Sequence, residues 1–292
     1  MSPRHVLTAL LALFFFTPAQ PSHAAAFVRG AYYRLGDDDP GAAPNLSGQD
    51  PTRDSFAEAL HLSRIEDPRY SADVPPLGPT PNTLSMRFAS LEGVVVPGYY
   101  GRNQSLDMAS GGFALEAWVK RRSVPDGVGG IPVPSVQQVI AYNGIPSDGA
   151  GRTANGFGLF YKDGDYVARI GGLADVTLGP GDPDVWHHLA YVHSLGTSSY
   201  YFDGKLVRES STDPAPRPAS GGFWVGGNAH PLIDPGEHLF HGWIDEVRYQ
   251  MFNPLAAGSF NPTDFLIVPE PGAGMLLLIA ASFAFGRRRK GA

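Results

Sequence analysis

Apolar and polar residues alternate along many short segments of the chain, and this alternation predicts β-strands. In residues 113–120, for example, Phe113, Leu115 and Ala117 fall on one face. Successive side chains of a strand point to opposite faces, so such a segment predicts a strand with one buried face and one exposed face. Between residues 83 and 255 these segments are separated by turn signals, a pattern typical of an all-β sandwich or barrel.

Two Asp-Gly pairs mark the tightest predicted turns. Asp163-Gly164 and Asp203-Gly204 each lie between short apolar runs. A two-residue hairpin turn of this kind needs positive φ at both central residues, which Asp and Gly tolerate. Each pair therefore predicts a β-hairpin.

The segment from residue 36 to residue 81 lacks this alternation. It is rich in Asp, Pro and Gly, which predicts a long irregular region. Within it, Thr52 is a suitable N-cap for one short helix ending near Leu62.

The N-terminal residues predict an export signal. Arg4 and His5 precede an apolar run over residues 6–16, and small residues follow at 24–26. This order is typical of a secretory signal peptide with a short helical core, and it predicts cleavage near Ala26. The apolar run is too short to span a bilayer by itself.

The C-terminal residues form a three-part tail. Its parts, in order, are Val268, Pro269, Glu270 and Pro271, then a short apolar helix predicted within 272–285, then Arg287, Arg288, Arg289 and Lys290. This order resembles the PEP-CTERM sorting signal of exopolysaccharide-producing Gram-negative bacteria. The resemblance implies recognition by an exosortase-type membrane enzyme, transient association with the inner membrane, and delivery to the cell surface or extracellular matrix. The alternative is a plain C-terminal anchor, with the basic cluster on the cytoplasmic side.

Composition and charge favour an all-β domain and argue against a nucleic-acid-binding protein. The 292 residues include 36 Gly, 27 Pro, 17 Phe and 12 Tyr, an excess of turn formers and aromatics that fits an all-β domain. The formal net charge of −6 disfavours nucleic-acid binding. Because the chain has no Cys, disulfides and thiolate metal sites are excluded.

Three segments, 113–120, 186–207 and 224–249, have the order and spacing of a known family. Together they resemble the LamG-like jellyroll of the concanavalin A-like lectin/glucanase superfamily. The resemblance implies an all-β, two-sheet antiparallel jellyroll sandwich. The last strand, near 244–251, is then expected to pair with the first, near 27–35.

The predicted organisation has one folded domain between two targeting segments. In order, it comprises a signal peptide (1–26), an N-terminal strand with the long irregular region (27–82), the LamG-like jellyroll (83–255), a linker (256–267) and the sorting or anchor segment (268–292).

No catalytic constellation emerges from the acidic residues. Asp245 and Glu246 are adjacent, so strand alternation is expected to point them to opposite faces. They are then not expected to meet at the roughly 5–10 Å that glycoside hydrolysis requires. Glu116 is expected to form an ion pair within the sheet, with Arg248 as its partner. We predict no catalytic residue and no nucleotide-binding or hydrolase motif.

Calcium is the cofactor that the resemblance suggests. His187 and His188 diverge on a strand and do not predict a metal site. Members of the superfamily bind Ca²⁺ through loop oxygens, which implies Asp245 and, more weakly, Asn228 as metal ligands. The acidic run at 37–39 is expected to be a solvated turn, with calcium binding as its alternative.

Aromatic residues supply the predicted ligand surface. Two adjacent pairs place one ring on each side of a strand, so that one ring of each pair is expected to face solvent or a groove: Tyr99, Tyr100, Tyr200 and Tyr201. The four tryptophans lie in the family-like segments and are expected in the core: Trp118, Trp186, Trp224 and Trp243.

Taken together, these features predict an exported, non-catalytic surface or matrix protein that binds a glycan or a surface protein. Two alternatives stay open. One is a polysaccharide-degrading enzyme, a glycoside hydrolase or lyase of the same superfamily. The other is a purely structural matrix component. The ligand itself is inferred by analogy with the family, because a fold alone does not define function.

Overall fold

A computed structural model describes part of the chain. It covers residues 27–56, 60–77, 82–88, 98–102, 106, 112–123, 137–144, 155–170, 174–213, 222–227, 239–255 and 265. The predicted signal peptide, Asn228, the sorting motif at 268–271 and the cationic tail lie outside the described residues.

The described residues form strands and turns. The strands are β1 (Phe27–Tyr33), β2 (Ser63–Glu66), β3 (Arg69–Ser71), β4 (Ser85–Phe88), β5 (Gly98–Arg102), β6 (Gly112–Arg121), β7 (Gln137–Asn143), β8 (Phe157–Lys162), β9 (Asp165–Ile170), β10 (Ala174–Pro180), β11 (Trp186–Ser194), β12 (Thr197–Phe202), β13 (Lys205–Ser210), β14 (Phe223–Val225) and β15 (Gly242–Phe252). Within these ranges there is no helix, and so none that could cross a membrane.

Two antiparallel sheets make up the domain, as the resemblance to the LamG-like jellyroll implies. The eight-stranded sheet has the order β13-β12-β11-β6-β15-β4-β3, with β1 also paired to β15. The seven-stranded sheet has the order β10-β9-β8-β7-β14-β5-β2. The architecture is all-β and consistent with a jellyroll sandwich.

The first and last strands pair, which confirms the expectation from the sequence. In this antiparallel pair Tyr33 lies opposite Val247, and Ala31 lies opposite Tyr249. One edge of β15 pairs with β6 along its whole length, and the other edge is shared by β4 and β1. The last strand is therefore central to its sheet.

Both Asp-Gly turns are confirmed. Asp163 and Gly164 have φ of 53° and 100° between β8 and β9, and Asp203 and Gly204 have φ of 50° and 72° between β12 and β13. These are the positive angles that a two-residue hairpin turn requires.

The predicted helix after Thr52 is wrong. Thr52 and Leu62 pair as an antiparallel bridge, with the Thr52 amide donating to the Leu62 carbonyl at 3.0 Å. The Asp54 carboxylate accepts hydrogen bonds from the amides of Phe56 and Leu60 at 2.9 and 3.0 Å. The Asp54 carboxylate therefore accepts the hydrogen bonds of two backbone amides, which in a helix would donate to backbone carbonyls.

The acidic run at 37–39 is not uniformly solvated. Asp39 is buried, and it accepts hydrogen bonds from the Thr52 hydroxyl at 2.9 Å, the Arg53 amide at 2.8 Å and the Tyr70 hydroxyl at 2.7 Å. A buried carboxylate with three donors ties its loop to the strand that carries Tyr70. The expectation of a solvated turn is therefore wrong for Asp39.

Candidate functional site on the outer face of the eight-stranded sheet

On the outer face of the eight-stranded sheet, five side chains lie side by side in a row that crosses five neighbouring strands. Each is directly opposite the next on a neighbouring strand, and the row is made by Arg69, Arg87, Trp243, Lys120 and Trp186. We call it the cation–tryptophan row. Five strands at a spacing of about 4.8 Å give it a length of roughly 19 Å, with the two indoles about 10 Å apart.

Lys120 joins the two tryptophans. Its ammonium group lies 4.5 Å from the centre of the Trp243 ring and 5.5 Å from that of Trp186, within the range of cation–π attraction. Asp73 forms an ion pair with Lys120 and accepts a hydrogen bond from Trp186 Nε1 at 2.9 Å. Trp243 Nε1 donates to the Ser71 hydroxyl at 3.1 Å. The two indole rings are thus fixed in place.

The structure corrects the prediction for two of the four tryptophans. Trp118 and Trp224 are buried, as expected. Trp186 and Trp243 are half-buried, because they occupy the face of the sheet that points away from the other sheet. The partly exposed aromatic surface of this sheet therefore comes from two tryptophans that were expected in the core.

The two tyrosine pairs, which were expected to be partly exposed, are buried. All four are at most 8% exposed, so the expectation that one ring of each pair faces solvent is wrong: Tyr99, Tyr100, Tyr200 and Tyr201. Both faces of their strands are covered, for different reasons. The Tyr100 hydroxyl donates to the Gln49 carbonyl at 2.9 Å, in a loop packed on β5, and the Tyr201 ring lies 4.8 Å from that of Phe265.

A buried ionic network lies beside the row on the same face. Arg248 Nε donates to Glu116 Oε1 at 2.5 Å, which confirms the predicted ion pair. His188 Nε2 lies 2.8 Å from Glu116 Oε2. His187 points to the other face, where it stacks on Phe202 at 4.7 Å, so the predicted divergence of the two histidines is also confirmed.

The network keeps Glu116 ionised. Burial by itself would raise the pKa of this carboxyl, but the Arg248 guanidinium and the contact with His188 outweigh it and hold the pKa below its ordinary value. A carboxylate that is buried and fully paired is a structural element of the sheet.

A β-bulge breaks the alternation at Asp245 and Glu246. Asp245 lies opposite Trp118 and Arg248 lies opposite Glu116, so two residues of β15 face one residue of β6. Glu246 has φ of +51° at this point. Such a bulge re-aims the side chains that follow.

Both carboxyls are buried, and the prediction that they are kept apart on opposite faces is wrong. Burial and the neighbouring Glu246 carboxyl raise the pKa of Asp245 well above its ordinary value. Burial also raises the pKa of Glu246, although the Tyr32 hydroxyl and the Arg34 guanidinium act against it. The two groups therefore interact electrostatically at the bulge.

The sequence holds one signal that could have indicated the bulge. The buried apolar residues of β15 include Ile244, Val247, Tyr249 and Met251. Their spacing is three, then two, then two. A step of three within a period-two pattern is typical of one extra residue in a strand.

Calcium at Asp245 would be held by carboxyl and amide oxygens. The Asp245 carboxylate accepts hydrogen bonds from Asn82 Nδ2 and from the Glu246 amide, both at 2.9 Å. Asn82 Oδ1 is buried and accepts no hydrogen bond, whereas Glu246 Oε1 lies 3.6 Å from Arg34 Nε. Carboxyl and amide oxygens are the ligand types that suit a hard cation. Within the described ranges, however, no three acidic or histidine side chains form a metal-binding group.

The two antiparallel sheets place the protein in the class of all-β sandwich domains. Residues 99–250, just over half of the chain, match the model of the Laminin_G_3 family, described as the concanavalin A-like lectin/glucanases superfamily. The chain belongs to this family. No curated protein matches the sequence.

Several solved structures have a similar fold at low sequence identity. Domain 4 of an extracellular arabinanase from Geobacillus stearothermophilus is 17% identical, with a TM-score of 0.49, and the match covers 82% of this chain and 96% of that one. A Trypanosoma rangeli sialidase is 14% identical, with a TM-score of 0.45 and coverage of 80% and 31%. The binding domain of Paraclostridial Mosquitocidal Protein 1 is 12% identical, with a TM-score of 0.45 and coverage of 76% and 50%. The chain thus matches about a third of the length of the sialidase.

Proposed function

We propose that the protein binds a linear carbohydrate along the cation–tryptophan row and does not cleave it. The observation that carries this proposal is the pair of half-buried indoles of Trp186 and Trp243, held on one face about two strand spacings apart. Indole rings offer flat apolar surface that stacks on sugar rings. The nearby Asp73 and Ser71 side chains carry hydrogen-bonding groups at the edge of the two rings.

The described acidic residues support binding rather than catalysis. Glu116 is paired with Arg248 and His188, and the Asp245 and Glu246 side chains are fully buried. Hydrolysis of a glycoside by the usual route needs two carboxyl groups that reach the same bond of the substrate. The enzyme alternative would therefore need acidic residues other than these.

We also propose export and sorting at the carboxyl end. The support is the sequence of the two ends: the short apolar run before Ala26, and the tail that starts at Val268 and ends in four basic residues. An exosortase-type enzyme is the partner implied for the tail. A glycan or another surface protein is the ligand implied for the domain.

The tryptophan pair gives a direct test. In the Trp243→Ala variant we expect affinity for a linear oligosaccharide to fall at least about tenfold, because a truncated tryptophan at a binding hot spot loses about 2 kcal/mol or more. Titration calorimetry with cellohexaose and hexagalacturonate, a neutral and a carboxylated probe, measures the change. Trp186→Ala is expected to behave in the same way.

Leu206→Ala provides the matched control, because Leu206 is 53% exposed on β13, away from the row. It should leave the affinity unchanged, and all variants should keep the wild-type melting temperature within a few degrees. Binding that survives in both tryptophan variants would place the ligand elsewhere. If neither probe binds the wild-type protein, these two classes of linear ligand are ruled out.

Calcium at Asp245 stays a prediction with its own test. In calcium-free buffer we expect Asp245→Asn to raise the melting temperature near pH 7 by about 2–4 °C, the shift that about 1 kcal/mol gives in a domain of this size. A carboxyl with a raised native pKa takes up a proton on folding, so wild-type stability falls as pH rises above the unfolded value of about 4. The amide removes this dependence.

Added calcium should raise the wild-type melting temperature but not that of Asp245→Asn, because a ligand of the native state stabilises it. Asp182→Asn, at an exposed turn, is the control and should respond as wild type does. If calcium and chelator leave the wild-type melting curve unchanged, the calcium prediction is wrong.

A further inference from the structure

The outer face of the eight-stranded sheet contains an apolar depression, next to the buried ionic network. Small side chains form its floor: Ala190 lies opposite Tyr201 on one neighbouring strand, and Ala114 lies opposite Val192. The rings of Tyr201 and Phe252 and the side chain of Val192 form its walls. An outer sheet face is usually polar, so an apolar surface here needs a cover.

A residue from beyond the last strand covers it. Phe265 is only 5% exposed and belongs to the same apolar cluster. Its ring meets the Tyr201 ring edge-on at 4.8 Å and the His188 ring edge-on at 5.4 Å. These are favourable geometries for aromatic pairs. The contact joins residues 64 positions apart in the chain, so it is not a consequence of local geometry.

Leu255, which also follows the last strand, differs from Phe265 in its exposure. It lies just after β15 and is 81% exposed. Phe265, ten positions later, is buried against the sheet. Phe265, unlike Leu255, therefore lies against the outer face of the sheet.

We propose that the C-terminal segment of this protein docks on the outer sheet face through Phe265, and that this depression is built as an internal docking surface for that segment. The docked ring packs on His188, which in turn contacts the carboxylate of Glu116. The sheet face and the segment that leads into the predicted tail then behave as one unit. This inference does not depend on the proposed carbohydrate site.

Engineered cysteines test the contact directly in the full chain, because the natural sequence has none. The Tyr201→Cys/Phe265→Cys double variant should be joined within one chain by a short thiol-reactive cross-linker, detected as a linked peptide pair by mass spectrometry. Tyr201→Cys/Leu255→Cys is the matched control and should link at least tenfold less. Equal linkage in the two, or linkage only between two chains, would overturn the proposal.

A second measurement covers the case in which the Tyr201 substitution disturbs the sheet. Phe265→Ala should shift the methyl NMR signals of Ala190 and Val192, which lie in the cluster that the ring completes. It should also increase binding of the dye ANS severalfold, because apolar surface becomes exposed. Leu255→Ala should do neither. If Phe265→Ala leaves the methyl signals and the dye binding as in wild type, the segment is not docked.

Discussion

Glu116→Gln is expected to lower the free energy of unfolding by about 3–5 kcal/mol, the loss seen when one partner of a buried ion pair is removed. The Arg248 side chain is only 13% exposed and would lose the carboxylate that compensates its charge. His188, which is fully buried, would lose the same partner. Urea unfolding followed by fluorescence measures the difference at pH 7.

The pH dependence of this variant adds a second criterion. Because the native pKa of Glu116 is held low, its contribution is present above the unfolded pKa of about 4.3. It is lost as pH falls through the native value. The variant should therefore lose less stability than wild type on acidification. The exposed Glu209→Gln is the control and should change stability by no more than about 0.5 kcal/mol. Equal effects at the two positions would contradict a structural role for the network.

Phe113→Ala is expected to destabilise the fold by a similar amount, about 3–5 kcal/mol. The Phe113 ring stacks on Phe157 with centroids 4.2 Å apart and meets Tyr191 edge-on at 5.3 Å. It also lies 5.9 Å from Tyr249. Because Phe157 belongs to the seven-stranded sheet and Tyr249 to the eight-stranded sheet, the Phe113 ring contacts strands of both sheets. Its loss would leave a cavity where the two layers meet, and the surrounding rings are too large to fill it by a small shift.

Denaturant unfolding measures the free energy of unfolding of three variants: Phe113→Ala, Phe113→Leu and Leu195→Ala. The comparison separates the loss of buried apolar volume from the effect of truncating an exposed side chain. Phe113→Leu keeps much of the apolar volume and should lose less than the alanine variant. Leu195 is 67% exposed in a hairpin turn, so its truncation should have little effect. If Phe113→Ala lost no more stability than Leu195→Ala, the packing of the two sheets described above would be wrong.

The hairpins were predictable because their signals are local, and the pairing of the terminal strands was expected from the resemblance to the jellyroll. Asp163-Gly164 fits positive φ without reference to the rest of the chain. The ion pair of Glu116 with Arg248 was also predictable, since both residues lie on strands expected in one sheet. The turn at Leu195 and Gly196, with φ of 49° and 78°, carries a weaker local signal and was not predicted.

The candidate site was not predictable in the same way. Alternation assigns one ring of Tyr200 and Tyr201 to the outer face, and the structure agrees that Tyr201 lies there. Alternation does not say what covers an outer-face residue: Phe265 packs on Tyr201, whereas Trp186 and Trp243 stay partly exposed. Coverage depends on segments far away in the chain, and no local pattern encodes it.

By itself, the sequence determined the strand periods, two of the hairpin turns and the all-β class, because these depend on neighbouring residues and on side-chain alternation. The two-sheet arrangement was expected from the resemblance to a known family. Only the tertiary structure decided which faces are covered, where the bulge at Glu246 re-aims β15, and which aromatics meet solvent. The physical reason is that burial is a property of non-local packing. A strand fixes the side on which a residue lies, and the rest of the chain decides what lies above it.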